Sequence, residues 1–504
     1  MRRGMTLIEL LIATALSLLL LGAVVQMFGS VGQSITDSRA MLESADRLRL
    51  TATRLQQDLA GVTVTMNPPR KPENNEGYFE YIEGPMTAAN ASTFAINTDN
   101  NNQGDTTVGD VDDILMFTTR STGQPFVGKY AAGAGGVAQS DVAEVAWFVR
   151  GRTLYRRVLL VAPALSPTGS PFYGYNDISV SIQNGTLVAN SLGDLTKREN
   201  RFAHQTGGFP YSPYVSTATW SATNVSNWTV LRLPTLCECS STSWIPGGAV
   251  PGYGSPTILS PFGPGQFDAW RNPLPYSQFD PATGAYNGFY TAGAPTTGQR
   301  IADDVILTNV IGFDVKGWDP QAPVFSASSG TGLLRPGDSS YTAAWTAAWT
   351  ASPTGPTVGQ SVTVNGIVYT VASFGAYGDL GYGSTAYTPL LAGSLSHLGH
   401  PKSYLNTSAT TARVYDTYST HYETVALNPQ PAGTTPGQAV NGFDDNGNGI
   451  VDDIVYNGAA TDGENITAPP YPIPLRGIQV KIRVYEPDSR QVREVTVIQD
   501  FLSQ

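Results

Sequence analysis

Residues 10–36 carry no charged side chain, and positions 10–25 are apolar except for Thr14 and Ser17. A helix of about 20 such residues is long enough to cross the hydrocarbon of a bilayer. This run constrains everything after it. One end of the chain belongs in lipid or among other helices, and the remainder has to fold away from it. Arg2 and Arg3 lie just before the run and predict a cytoplasmic N-terminus with the bulk of the chain exported. An ordinary secretory signal would close on a small-residue cleavage site. No Ala-x-Ala follows Val25; Gln26-Met27-Phe28-Gly29-Ser30 leads into more helix instead.

Glu9 sits at the edge of the apolar run. A carboxylate entering hydrocarbon costs several kcal/mol unless it finds a partner, so Glu9 requires one. Further on, Met41, Ala45, Leu48, Ala52, Leu55 and Leu59 recur in steps of four and three, one apolar stripe on a continuing helix. Asp37, Arg39, Glu43, Asp46, Arg47, Arg49, Arg54 and Asp58 fall mostly off that stripe, and Glu43 with Arg47 is an i, i+4 pair of the favoured orientation. The pattern predicts a helix from Met5 to Leu59, its first half in lipid and its second half packed on a globular head. Gly61 and Pro68-Pro69 end it.

The opening Arg2-Arg3-Gly4-Met5-Thr6-Leu7-Ile8-Glu9-Leu10 resembles the N-terminus of type IV pilins and pseudopilins. That family's signal is a short basic leader ending in Gly, then an aromatic or Met residue, then Thr-Leu-x-Glu and an apolar run. The resemblance implies that a prepilin peptidase cuts after Gly4 and that the new α-amine on Met5 is methylated. It also implies a partner for Glu9, the N-terminal ammonium of a neighbouring subunit inside the filament. Met5 departs from the commoner Phe. The expected organisation is a leader at 1–4, a transmembrane half at 5–30, an amphipathic half at 31–60, and a periplasmic head over 61–504.

The head reads as β-rich. Charged residues are 14% of the chain, while Gly (53) and Pro (35) are abundant, as in β-structure with long turn-rich connections. The predicted class is therefore α+β, a long N-terminal helix packed on a largely antiparallel β head. Strands are expected at 114–119, at 144–149 and 154–161 as a hairpin turning at Gly151, and at 305–307 with 310–315. The last hairpin pairs 477–485 with 492–498 about Pro487-Asp488-Ser489-Arg490, one face buried and the other, with Lys481, Arg483 and Arg493, wet.

Arg54-Leu55-Gln56-Gln57-Asp58-Leu59, the hairpin from Trp147 to Arg157, the segment from Leu307 to Asp314 and the terminal hairpin together resemble the J-type minor pseudopilin of type II secretion. Relatives of that type are shorter, so 163–300 and 320–440 are expected to be insertions. In the second, Asn365-Gly366 predicts a tight hairpin, and the echo in Tyr341-Thr342-Ala343-Ala344-Trp345-Thr346-Ala347-Ala348-Trp349-Thr350 is more readily a small core than a binding surface.

The formal charge is −11, and it would be more negative once Arg2 and Arg3 were removed. With no basic stripe, nucleic acid is not an expected partner. Cys237 and Cys239, one residue apart, are too few for a disulfide scaffold or a four-ligand zinc site. His397 and His400 lie in a loop context without a third ligand. No nucleophile elbow, phosphate loop or dinucleotide fingerprint occurs, so no enzymatic activity is expected.

One motif does point to a metal. Asp444, Asn446 and Asn448 occupy positions 1, 3 and 5 of a calcium-type loop over 444–453, with Gly449 at 6, the Ile450 carbonyl at 7 and Asp452 at 9. Val455 stands where the bidentate Glu would be, which leaves Asp453 or a distant carboxylate to complete the shell. The Asn/Asp-rich stretch 99–113 is expected to be a solvated loop.

Taken together, the resemblance implies a structural minor pseudopilin in the periplasmic pseudopilus of a type II secretion system. Its expected partners are prepilin peptidase, other pseudopilins through the N-terminal helix, and the assembly platform of the inner membrane, which the helix crosses once. The alternative is a minor pilin of a type IV pilus whose insertions bind a surface or ligand.

Overall fold

The computed structural model describes residues 6–83, 109–130 without 112, 136–150, 153–166, 176–183, 186–197, 200–201, 279–280, 285–286, 305–382 without 329, 331 and 353–354, 394–396, 413–417, 471, and 473–501 without 488. Helix α1 spans Leu7–Ala60, 54 residues, about 80 Å at 1.5 Å per residue. Thr6 starts it through a capping box. The Thr6 hydroxyl oxygen accepts from the Glu9 N–H, and Glu9 Oε2 accepts from the Thr6 N–H at 2.8 Å, which satisfies donors a helix start leaves unpaired.

Along the first half the side chains are exposed, Leu11, Leu18 and Leu20 among them. Thr14, Ser17 and Ser30 turn their hydroxyls back onto carbonyls of the preceding turn, so this half asks little of a polar solvent. Among the described residues, α1 is the helix long and apolar enough to cross a membrane.

The second half meets the head on the predicted stripe. Leu48, Leu55 and Leu59 are buried, with Ala52 packed beside them. Each such leucine contributes about 1.5–3 kcal/mol. Ser44, Thr51 and Asp58 are buried as well, which widens the face beyond the apolar residues. The helix ends at Gly61 against the sheet. A Cβ there would lie 2.1 Å from the Arg120 carbonyl oxygen, so a side chain would push the chain off its seat.

The head is built from β1 (Phe79–Glu83), β2 (Ile114–Arg120), β3 (Val142–Arg150), β4 (Thr153–Leu160), β5 (Val305–Thr308), β6 (Val310–Ala327), β7 (Ser361–Val364), β8 (Ile367–Gly378), β9 (Arg413–Asp416), β10 (Gly477–Glu486) and β11 (Gln491–Asp500). One antiparallel sheet runs β5-β4-β3-β2-β1-β9, and a second runs β7-β8-β6-β10-β11. The chain crosses from the first sheet to the second at Asn309, between β5 and β6. Phe79, Leu115, Phe117 and Trp147 of the first sheet share one core with Phe313, Val315, Val480 and Ile482 of the second, and with the α1 leucines.

The α+β class and the expected hairpins are present. β6 runs past Pro320 to Ala327, and its register against β8 shifts between Asp319 and Pro323, an irregularity that accommodates two prolines in a strand. The Asn365-Gly366 turn joins β7 and β8 with φ of 51° and 79°, the conformation a two-residue hairpin selects. Tyr341–Ala351 is a helix whose Tyr341, Trp345 and Ala348 pack on Phe325, Val362 and Val371 in a separate small core. Its aromatic run is spent on that packing.

Residues 176–201, within the expected first insertion, return to the first sheet. Ile178 bridges Leu160, and the buried Arg201 donates to Glu80 of β1 and to Asp416 of β9. On the terminal hairpin, Arg483, expected to be wet, is half-buried and donates to Glu494. Lys481 lines a cleft with Lys316, Trp318 and Tyr377, and Arg493 Nε is buried.

Candidate functional site

Among the polar arrangements buried in the described residues, two bear on how the body is held: the socket that receives α1, and an acidic group where the two sheets meet. In the socket, Asp58 lies in the last turn of the helix and is 4% exposed. The alternating strands β3 and β4 present Trp147 and Arg156 as register partners. Arg156 donates twice to the Asp58 carboxylate, at 2.6 and 2.7 Å, and the Trp147 indole N–H donates to it at 3.0 Å. The Asp58 carbonyl accepts from the Thr119 hydroxyl. Arg54, one turn earlier, has its pKa lowered by burial and by the charge of Arg156, with Asp58 opposing. A single carboxylate thus holds one guanidinium group, through two bonds, and an indole. Such a fork fixes the rotation and height of the helix more than it adds stability.

The acidic group lies at the seam. Glu83 ends β1; Asp110 and Asp113 precede β2; all three are buried, and one oxygen from each falls within 4.8 Å of the others. The backbone of this segment bonds to β6: Gly109 N–H to the Ile311 carbonyl at 2.7 Å, and Phe313 N–H to the Asp110 carbonyl at 2.6 Å. Asp113 Oδ2 accepts from the Val315 N–H at 2.7 Å. Glu83 Oε2 accepts from the Leu380 N–H at 3.1 Å and from the Tyr81 hydroxyl.

Lys316 projects from β6 between Asp314 and Asp379. It stands 2.9 Å from Asp314 Oδ1. Burial opposes the charged amine, but Asp379 and Asp314 raise its pKa well above the ordinary value. Burial and the neighbouring Asp379 charge push the Glu83 pKa well up, against the Tyr81 hydrogen bond and Lys316.

Of the residues singled out in the sequence, Glu9 is exposed at the start of α1, where both Thr6 donors fall on its Oε2. Its own chain therefore supplies partners that the spacing Thr6-x-x-Glu9 encodes. Gly4 and Met5 lie outside the described residues, as do Asp444, Asn446, Asn448, Ile450, Asp452 and Asp453, the cysteines and His397 and His400.

The expectation of a solvated loop over 99–113 is wrong for Asp110 and Asp113, each 1% exposed. Their burial comes from backbone bonds to β6, about 200 positions away, which local spacing cannot reveal. The Asp58–Arg156 pair was equally unread, although both residues lay in segments already singled out; a carboxylate next to a helix's apolar stripe was the available signal.

No family model, no curated protein and no solved structure matches this chain.

Proposed function

We propose that this chain is a structural minor subunit of a filament of the type IV pilin and pseudopilin class, processed after Gly4 and held in the inner membrane through residues 5–30 until assembly. The observation that carries this reading is α1 itself. Its exposed apolar first half begins at the Thr6–Glu9 cap, directly after the Gly4-Met5 junction, and its second half is locked into the head at Asp58. Glu9 Oε2 takes the Thr6 donors, which leaves Oε1 for the ammonium of a neighbouring subunit's Met5. The head is periplasmic, and the chain does no chemistry of its own. Within the class, the segment from Arg54 to Asp58 and the β3–β4 hairpin favour a J-type place in a secretion pseudopilus. A calcium ion belongs in this reading to Asp444, Asn446, Asn448, Ile450, Asp452 and Asp453.

Mass spectrometry of the chain recovered from membranes, with and without a co-expressed prepilin peptidase, tests the proposal. The expected mature N-terminus is N-methylated Met5. A chain that keeps Met1 to Gly4 in the presence of the peptidase would sink the reading.

A further inference from the structure

We propose that Glu83, Asp110 and Asp113 form a second divalent-cation site, of the calcium type, which staples the first sheet to the second. Three buried carboxylates converge within 4.8 Å, and hard oxygen donors of this kind are what calcium takes. Convergence alone would not make a site. The second observation is Glu83 itself: the side chain is 0% exposed, and Oε1 has no hydrogen-bond partner. Native structures satisfy nearly all such buried atoms, so this oxygen calls for a ligand.

The donors that face Glu83 are shared with other acceptors. The Tyr81 hydroxyl has one proton to divide between Glu83 Oε2 and the Val315 carbonyl. Lys316 is shared between Asp314 and Asp379. Ionised carboxylates in such a place are stable only when paired or coordinated.

The position defines the effect. Glu83 is the last residue of β1 and reaches the Leu380 N–H, while Asp113 reaches the Val315 N–H of β6. An ion shared by Glu83, Asp110 and Asp113 therefore ties the end of β1 and the approach to β2 to the second sheet. This inference concerns the head alone and stands or falls separately from the filament reading and from the loop at 444–453.

The test uses the full-length chain in detergent micelles, stripped with chelator and titrated with calcium. Bound ions per chain are counted by equilibrium dialysis, and terbium emission is excited through tyrosine, since Tyr81 adjoins the site. The wild type is compared with Glu83→Gln, Asp110→Asn and Asp444→Asn. The expected result is one ion fewer per chain in Glu83→Gln and in Asp110→Asn, or affinity more than about tenfold weaker at one site. Both are expected to lose the tyrosine-sensitised terbium signal, and Asp444→Asn to keep it. Equal stoichiometry and equal terbium emission in wild type and Glu83→Gln would overturn the proposal and leave Glu83 a neutral buried acid. If the variants fail to fold, the wild type decides: terbium emission no greater than that of free ion refutes the site.

Discussion

Replacing Asp58 with Ala removes the acceptor for three donors at once. Arg156 is 7% exposed on its side chain and would keep its charge with no carboxylate beside it, which for a buried pair costs about 3–5 kcal/mol. The Trp147 N–H, on a fully buried ring, would lose its acceptor as well, at about 1–3 kcal/mol. These losses share one carboxylate and do not simply add, so about 4 kcal/mol is the expected destabilisation. At 2–4 °C per kcal/mol, the unfolding midpoint should fall by roughly 8–16 °C. The assay is thermal unfolding of the full chain in micelles followed by tryptophan fluorescence, with hydrogen exchange over 44–60 as a local readout. Exchange there should rise before the global transition, because the helix end loses its anchor. The double variant Asp58→Leu with Arg156→Met should recover most of the loss, since an apolar pair of similar volume leaves no charge stranded. A fall below about 1 kcal/mol in the single variant, or a double variant as unstable as the sum of its parts, would refute the idea that this fork holds the helix.

Further outcomes follow from the same geometry. Glu9→Ala should leave cleavage after Gly4 intact yet abolish incorporation into filaments, read by shearing and immunoblot; normal incorporation would remove Glu9 from assembly. Gly366→Ala has open space for its methyl but a φ of +79°, so a purely conformational cost of about 1–2 kcal/mol is expected in urea unfolding. Arg201→Met takes from Glu80 and Asp416, both 0% exposed, the guanidinium they share, with an expected loss of about 3–5 kcal/mol. Burial raises the pKa of the Tyr78, Tyr341 and Tyr415 phenols. A group that loses its proton less readily when folded stabilises fully below its ordinary pKa of 10.0, and that stability drains as pH climbs. The tyrosinate absorbance should therefore rise in one cooperative step with unfolding; smooth independent titration would contradict the burial.

What the sequence made legible was local. The stripe of Leu48, Leu55 and Leu59 follows the helical period, and Ile478, Val480, Ile482 and Val484 follow the strand period, so both buried faces could be read without a structure. The Asn365-Gly366 turn carried its own stereochemistry. The polar interior was not legible, because its contacts join residues far apart in the chain: Asp58 with Arg156, Asp110 with Phe313, Arg201 with Asp416. Charge reads as surface in a sequence until a partner is known, which is why Asp110 and Asp113 looked like a solvated loop.

Glu9 and Asp58, two of the carboxylates of α1, answer different questions about the same helix. Asp58 fixes rotation against the chain's own head, where a misplacement strands a buried guanidinium. Glu9 stands 49 positions earlier, about 75 Å along the axis, and on the filament reading meets a different molecule. Between them, Thr14, Ser17, Ser30, Thr36 and Ser38 return their hydroxyls to the helix backbone. An error in rotation at Asp58 would therefore be carried to Glu9 through one continuous helix. That coupling is testable: inserting a single Ala near residue 38 turns the two ends by about 100° relative to each other. Head stability should be unchanged while incorporation fails, and an insertion that still incorporates would show that the helix ends are set independently.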